Sequence, residues 1–212
     1  MAVVSSNYRR PRGFVTGLVV LGGLDLLLSL ADGATAAVSL SGRSHLNAEV
    51  LYSAGGLVGA ILIFQMILRV PQLVVRSLWA RRLVLNIHLF QRFPVSPQWA
   101  WGGFFVPVAS LWLPGRTVLS LARASGPRHS LLDGLCLAWA AARWLNCLSG
   151  AFLLLMAFAI LHPHWTAEYG LQWMLTLEGA GIVSATLGIA LTLWITRRQP
   201  TPEQLDRAEV FT

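Results

Sequence analysis

Four long apolar blocks alternate with polar or basic stretches along the chain. The blocks cover residues 13–40, 50–69, 131–161 and 171–196. An α-helix needs about 20 largely apolar residues to cross a bilayer, and each block reaches that length. The pattern therefore predicts an all-α integral membrane protein with a single membrane domain of four transmembrane helices. Residues 1–12 and 197–212 would form its polar ends.

The composition points to the same class of protein. Of the 212 residues, 55% are hydrophobic and 12% are charged, whereas about a quarter of a typical soluble domain is charged. All 16 basic residues are arginine, as expected of a GC-rich bacterial genome. We therefore expect a multi-pass protein of a bacterial cytoplasmic membrane.

The arginines indicate how the predicted spans are oriented. Fourteen of them lie before the first block (Arg9, Arg10, Arg12), between the second and third (Arg69, Arg76, Arg81, Arg82, Arg92, Arg116, Arg123, Arg128) and after the fourth (Arg197, Arg198, Arg207). Of the other two, Arg43 lies between the first and second blocks and Arg143 lies inside the third. The positive-inside rule places both termini and the middle segment in the cytoplasm. Because these arginines flank apolar blocks, we expect them to face anionic lipid headgroups and not a nucleic acid.

Residues 98–116, QWAWGGFFVPVASLWLPGR, are nearly apolar enough to form a fifth span. Pro107 and Pro114 would each remove a backbone donor inside hydrocarbon, and a crossing would move the following arginines outside. The tryptophans of this region are typical of the headgroup level: Trp79, Trp99, Trp101 and Trp112. We interpret residues 72–128 as an interfacial segment that contains a Trp/Pro-rich interfacial or re-entrant hairpin. A kinked fifth span is the alternative.

The first block also shares features with a cleavable signal peptide. Arginines precede an apolar run, and the stretch Ala34-Thr35-Ala36 is similar to a cleavage site. However, Asp25 interrupts the run, so we expect the block to be retained as a span, with cleavage as the alternative.

Three ionisable residues lie well inside the predicted spans: Asp25, Arg143 and Glu178. At about 1.5 Å per residue they reach a similar depth, and each would cost roughly 2.5–3.5 kcal/mol there without a partner. Asn146 lies three residues after Arg143, on the same helix face. We predict that Arg143 pairs with one or both acids, whereas Asp32 lies nearer a block end, within reach of water.

Two motif-like elements occupy residues 79–114. LWARRLVLNIHLF contains Trp79, Arg82 and Asn86, and the second element contains Trp101, Gly103, Pro107, Leu111, Trp112 and Pro114. These positions resemble the Trp-x-x-Arg-x-x-x-Asn and Pro-x-x-Asn-Leu-Trp-x-Pro elements of the bacterial family called domain of unknown function 4328. Ser110 stands where that family usually has Asn. The resemblance implies a multi-pass bacterial membrane protein and supplies no catalytic residues.

The sequence contains no recognisable catalytic or nucleotide-binding motif. His162 and His164 lie in one predicted outer loop and are weak candidates for a metal site, since the His-x-His pattern is common without a metal. We therefore expect neither a metal nor a cofactor.

Two function classes remain. The favoured one is a non-catalytic scaffold or accessory subunit, with a protein partner or as a homo-oligomer. The alternative is a small transporter or an ion or proton channel that uses Asp25, Arg143 and Glu178. A weaker third possibility is a membrane enzyme whose Trp-rich hairpin admits a lipid.

Overall fold

The computed structural model describes residues 8, 10–41, 48–89, 93–106, 109–125, 130–159 and 167–199. In this part of the chain there are six α-helices and one 3-10 turn, and no strand. The α-helices are α1 Arg12–Ser41, α2 Ala48–His88, α3 Pro97–Gly102, α4 Leu113–Ala124, α5 Ser130–Ala159 and α6 Ala167–Arg198, and the 3-10 turn is Ala109–Leu111. The predicted all-α class is confirmed.

Four of the helices are long. α1 and α5 have 30 residues each, α2 has 41 and α6 has 32, so each is longer than the roughly 30 Å hydrocarbon core of a bilayer. Within the described residues, two stretches are both long and apolar enough to cross a membrane: Arg12–Val38 in α1 and Leu175–Arg198 in α6. These two stretches overlap the first and fourth predicted spans.

Helix α2 continues well beyond the second predicted span. It passes through Pro71 and ends at His88, so the first part of the segment that we interpreted as interfacial is a continuation of this helix. Its buried residues recur at three- and four-residue spacing, from Ser77 through Ala80 and Val84 to Ile87. Packing along this stripe favours the helix, although a proline in a helix interior removes a backbone hydrogen bond.

The region that contains the proposed hairpin is built from short elements. Ser96 caps α3 by accepting a hydrogen bond from the backbone N–H of Trp99, and Pro97 occupies the first helical turn, where a missing donor costs nothing. α3 has six residues and α4 has 12, which correspond to about 9 and 18 Å of rise. Neither helix is long enough to cross a bilayer by itself.

The chain forms two compact units. One comprises residues 1–20, 72–140 and 187–212, and the other comprises residues 21–71 and 141–186. We call them the arginine-rich unit and the polar-cluster unit. α1, α2, α5 and α6 each contribute residues to both.

The arginine-rich unit has a well-defined apolar core. Its largest fully buried side chains include Trp79, Leu83, Leu121, Trp139 and Ile195, which come from α2, α4, α5 and α6. Trp79, which we expected at the headgroup level, is 1% exposed within this core, so its ring faces protein side chains. The other tryptophans of that expectation are about half exposed: Trp99, Trp101 and Trp112.

Candidate functional site

In the polar-cluster unit, α1 presents a stripe of buried polar side chains. Asp25, Ser29 and Asp32 follow one another at four- and three-residue spacing, which places them on one helix face, and all three are buried. Asp32 has no exposed surface, so the expectation that water reaches it is wrong. Helix α1 extends to Ser41, and Asp32 consequently lies in the helix interior.

Helix α6 approaches this stripe closely through glycine. A Cβ atom added to Gly181 would lie 2.9 Å from Oγ of Ser29, and one added to Gly33 would lie 3.8 Å from Cβ of Glu178. Small residues allow two helix backbones to approach in this way. Glu178, which is 5% exposed, is thereby brought against α1.

Helix α2 contributes Gln65, which is 1% exposed. Its Nε2 donates to Oε2 of Glu178 at 3.4 Å and to Oγ of Ser29 at the same distance. Its Oε1 is buried and accepts no hydrogen bond from any donor among the described residues. Gln65 is not among the residues predicted from the sequence, although a lone amide inside the apolar run ILIFQMIL is a signal for a buried polar contact.

The carboxyl groups of Asp32 and Glu178 lie side by side. The charge of Glu178 acts on Asp32, and the two carboxyl groups are close enough for a hydrogen bond between them. Neither oxygen of Asp32 has any other hydrogen-bond partner in the described part of the chain. A hydrogen bond between two carboxyl groups requires a proton on one of them. Two charged carboxylates in this position would repel each other without water to screen them.

An arginine and an asparagine complete the cluster. Arg69 on α2 donates through Nη1 to the backbone oxygen of Asn146 at 3.3 Å and through Nη2 to the side-chain oxygen of Asn146. Its positive charge also acts on Glu178. From the sequence, Arg69 is predicted only to flank the second span and to set its orientation.

The structure thus assembles part of the predicted cluster with added members. Asn146 and Glu178 belong to it, and Asp25 lies on the same stripe of α1 as Ser29 and Asp32. Arg143 is partly buried on α5 in the same unit. The pairing of Arg143 with Asp25 or Glu178 stays a prediction.

The motif residues on α2 have structural roles in the arginine-rich unit. Nε1 of Trp79 donates to Oγ1 of Thr196 at 3.1 Å, and Nδ2 of Asn86 donates to Oε1 of Gln199 at 3.4 Å. Both bonds tie α2 to the end of α6. Arg82 is partly buried on the same part of α2.

The motif residues after α2 surround the turn between α3 and α4. A Cβ atom on Gly103 would lie 2.7 Å from the backbone oxygen of Trp99, and Pro114 is buried in the first turn of α4. The Trp101 and Phe105 rings are 5.3 Å apart. Trp112 is exposed. The remaining predicted positions lie outside the described residues: Pro107, His162 and His164.

No group of three or more metal-ligating side chains occurs among the residues that the structure describes.

Comparison with curated proteins and with solved structures finds no match. A family model matches residues 43–198, and its description is Domain of unknown function (DUF4328). That match covers more than half of the chain and agrees with the resemblance of its middle third. The chain therefore belongs to the DUF4328 family.

Proposed function

We propose that this protein is a four-span protein of a bacterial cytoplasmic membrane, with both termini and the segment between α2 and α5 in the cytoplasm. The two apolar stretches in α1 and α6, the lengths of α2 and α5, and the arginine distribution support this topology. Reporter fusions at positions 45 and 165 should report outside, and fusions at positions 85, 125 and 205 should report inside. An outside signal at 125 would contradict four spans.

We further propose that the polar-cluster unit binds and passes a proton or a monovalent cation. The observation that carries this proposal is the group of buried polar side chains around Glu178. Gln65 donates to its Oε2 at 3.4 Å, and both oxygens of Asp32 on the facing helix α1 are buried without a hydrogen-bond partner among the described residues. In a membrane span, ionisable groups are costly, and they mark ion or proton pathways when they persist.

The charges of the cluster's described side chains indicate a ligand class. Among the side chains described there, three carboxyl groups (Asp25, Asp32 and Glu178) accompany two guanidinium groups (Arg69 and Arg143). With every group ionised, one negative charge is in excess. A single proton or alkali cation would neutralise that charge, whereas a divalent ion would overcompensate it.

The chemistry of the nearby atoms fits the same ligand. The carboxylate oxygens, Oε1 of Gln65 and Oγ of Ser29 are all hard oxygen donors, which suit alkali cations and protons better than soft metals. Oε1 of Gln65 and both oxygens of Asp32 need a positive partner most, since they are buried and accept no hydrogen bond from the described residues.

A structural role within a scaffold or accessory subunit is the second candidate. It is favoured by the close packing at Gly181, where α1 and α6 approach within contact distance. In that case the cluster would fix the packing of the helices and carry no ion.

Ion flux into proteoliposomes tests the transport proposal. The full-length protein should take up protons or sodium when a potassium diffusion potential drives cations inward. Asp32→Asn and Glu178→Gln should each lower that uptake at least about tenfold, because each removes a carboxylate from the pair. Asp133→Asn is the matched control, since this acid is partly exposed on α5 and paired with Arg123 at 2.7 Å.

The outcomes separate the two candidates. Loss of uptake in both cluster variants, with uptake retained by Asp133→Asn and all proteins monodisperse in detergent, supports transport. No flux in the unmodified protein, together with a stable partner in a native pull-down, would replace transport by the scaffold role.

A further inference from the structure

A cleft in the arginine-rich unit combines positive charge with an apolar surface. It has a volume of about 550 Å³ and lies between the start of α1 and the second half of α2. Its lining includes Arg10, Arg81 and Arg82 together with the apolar side chains Phe14, Leu78 and Leu85. No acidic residue lines it.

Two independent features of this cleft favour an anion. The guanidinium groups of Arg10 and Arg81 line the same cleft, and together they create a positive potential that attracts an anion. In addition, Gly13 in the first turn of α1 also lines the cleft, and the first backbone N–H groups of a helix have no partner inside the helix. A Cβ atom added to Gly13 would meet nothing within 4 Å, so there is open space beside these amides.

The position of Arg10 is supported by a neighbouring phenol. The guanidinium of Arg10 donates a hydrogen bond to the oxygen of Tyr8. Burial raises the pKa of Tyr8 above its usual 10.0, and the positive charge of Arg10 acts in the opposite direction. At neutral pH the phenol is therefore uncharged, and it adds no negative charge to compete with an anion beside Arg10.

The apolar part of the cleft distinguishes a lipid from a small soluble anion. Leu78, Arg81, Arg82 and Leu85 recur at three- and four-residue spacing, so α2 presents leucines and guanidinium groups on one face. A free phosphate would leave the apolar lining of the cleft, Phe14, Leu78 and Leu85, exposed to water. A phospholipid carries a phosphate and hydrocarbon in the same molecule, and basic clefts at the cytoplasmic end of membrane helices suit such headgroups.

We propose that this cleft binds one anionic phospholipid, with the phosphate held by Arg10, Arg81 and the first turn of α1, and the upper acyl carbons against Phe14 and Leu78. The proposal rests on the membrane location and cytoplasmic N-terminus proposed above, and is independent of the cation site.

The test uses the full-length protein in detergent with defined lipids. Native mass spectrometry should find one phosphatidylglycerol retained after delipidation, and phosphatidylcholine should not replace it. Arg10→Gln combined with Arg81→Gln should weaken this retention roughly 25-fold, since each basic residue near an anionic surface contributes about fivefold. Arg116→Gln combined with Arg197→Gln is the matched control: both arginines are exposed, neither lines the cleft, and the net charge changes equally.

A second variant keeps every arginine. Gly13→Leu adds a side chain where the structure has open space, so it should reduce lipid retention while α1 gains helix propensity. If the double arginine variant fails to fold, this variant still tests whether the lipid binds in the cleft.

Three results would overturn the proposal. Equal loss of the lipid in both double arginine variants would mean that only overall charge matters. Unchanged retention in Gly13→Leu would place the lipid elsewhere. Displacement of the lipid by millimolar inorganic phosphate would identify a soluble anion as the ligand. Reporter fusions that place position 85 outside would instead refute the topology, whichever lipid is retained.

Discussion

Two glycines of α6, separated by one residue, provide a sharp test of how α1 and α6 pack. Gly181 is buried, and an added Cβ atom would lie 2.9 Å from Oγ of Ser29. Gly179 is exposed, and an added Cβ atom would meet nothing within 4 Å. Gly181→Ala should therefore destabilise the protein, whereas Gly179→Ala should be neutral or slightly stabilising.

The expected difference follows from the two contacts. Both substitutions gain the same helix propensity, up to about 1 kcal/mol, so that gain cancels between them. Overpacking a close contact costs typically about 1–3 kcal/mol, and at position 181 either α1 must shift or Ser29 must rotate away from Gln65. The free energy of unfolding of Gly181→Ala should be lower than that of Gly179→Ala by this amount.

Thermal unfolding in detergent, monitored by size-exclusion chromatography, measures this difference in stability. A chain of this size loses about 2–4 °C in Tm per kcal/mol, so Gly181→Ala should melt roughly 2–12 °C below Gly179→Ala. Adding Ser29→Ala to Gly181→Ala should recover part of the loss. The next atoms near the new Cβ would then be Nδ2 of Asn146 at 3.6 Å and Oε2 of Glu178 at 3.8 Å, which are ordinary contacts.

Equal melting temperatures for the two single variants would refute the close approach of α1 to α6. If Ser29→Ala does not restore stability to Gly181→Ala, Oγ of Ser29 is not the atom that the new Cβ overlaps. A non-zero interaction energy between the two substitutions is expected for residues that are in contact or in one hydrogen-bond network.

Two further predictions address the motif turn and the buried charges. Gly103→Ala should lower Tm more than Gly102→Ala, because the new Cβ would lie 2.7 Å from a backbone oxygen at position 103 and would meet nothing at position 102; equal effects would contradict the tight turn. Arg143→Leu should reduce the folded protein in the membrane, and adding Asp25→Asn or Glu178→Gln should partly restore it, because a single deletion strands the opposite charge. Good expression of Arg143→Leu, with no effect of a second change, would contradict the pairing.

The sequence by itself determined the properties that depend only on which residues are neighbours along the chain. A helix is predicted wherever a long apolar run lacks the alternation of polar and apolar residues that is typical of a strand. The structure is all-α in the residues it describes. The stripe of Asp25, Ser29 and Asp32 is likewise visible in the sequence, because residues three or four apart lie on one helix face whatever surrounds them. The two motif-like elements in residues 79–114 were sufficient to identify the family.

Only the tertiary structure decided which stripes meet. The partners of Glu178 come from α1 and α2. Gln65 and Arg69 join the cluster, although the sequence places Gln65 inside an apolar run and Arg69 at the end of a predicted span. A helical pattern gives the angle between residues of one helix, but not the rotation and height of that helix against its neighbours. Packing sets these, here through Gly181 and Gly33 on facing helices. For the same reason the burial of Asp32 and Trp79 could not be obtained from their positions in the chain, since each depends on side chains that approach from distant segments.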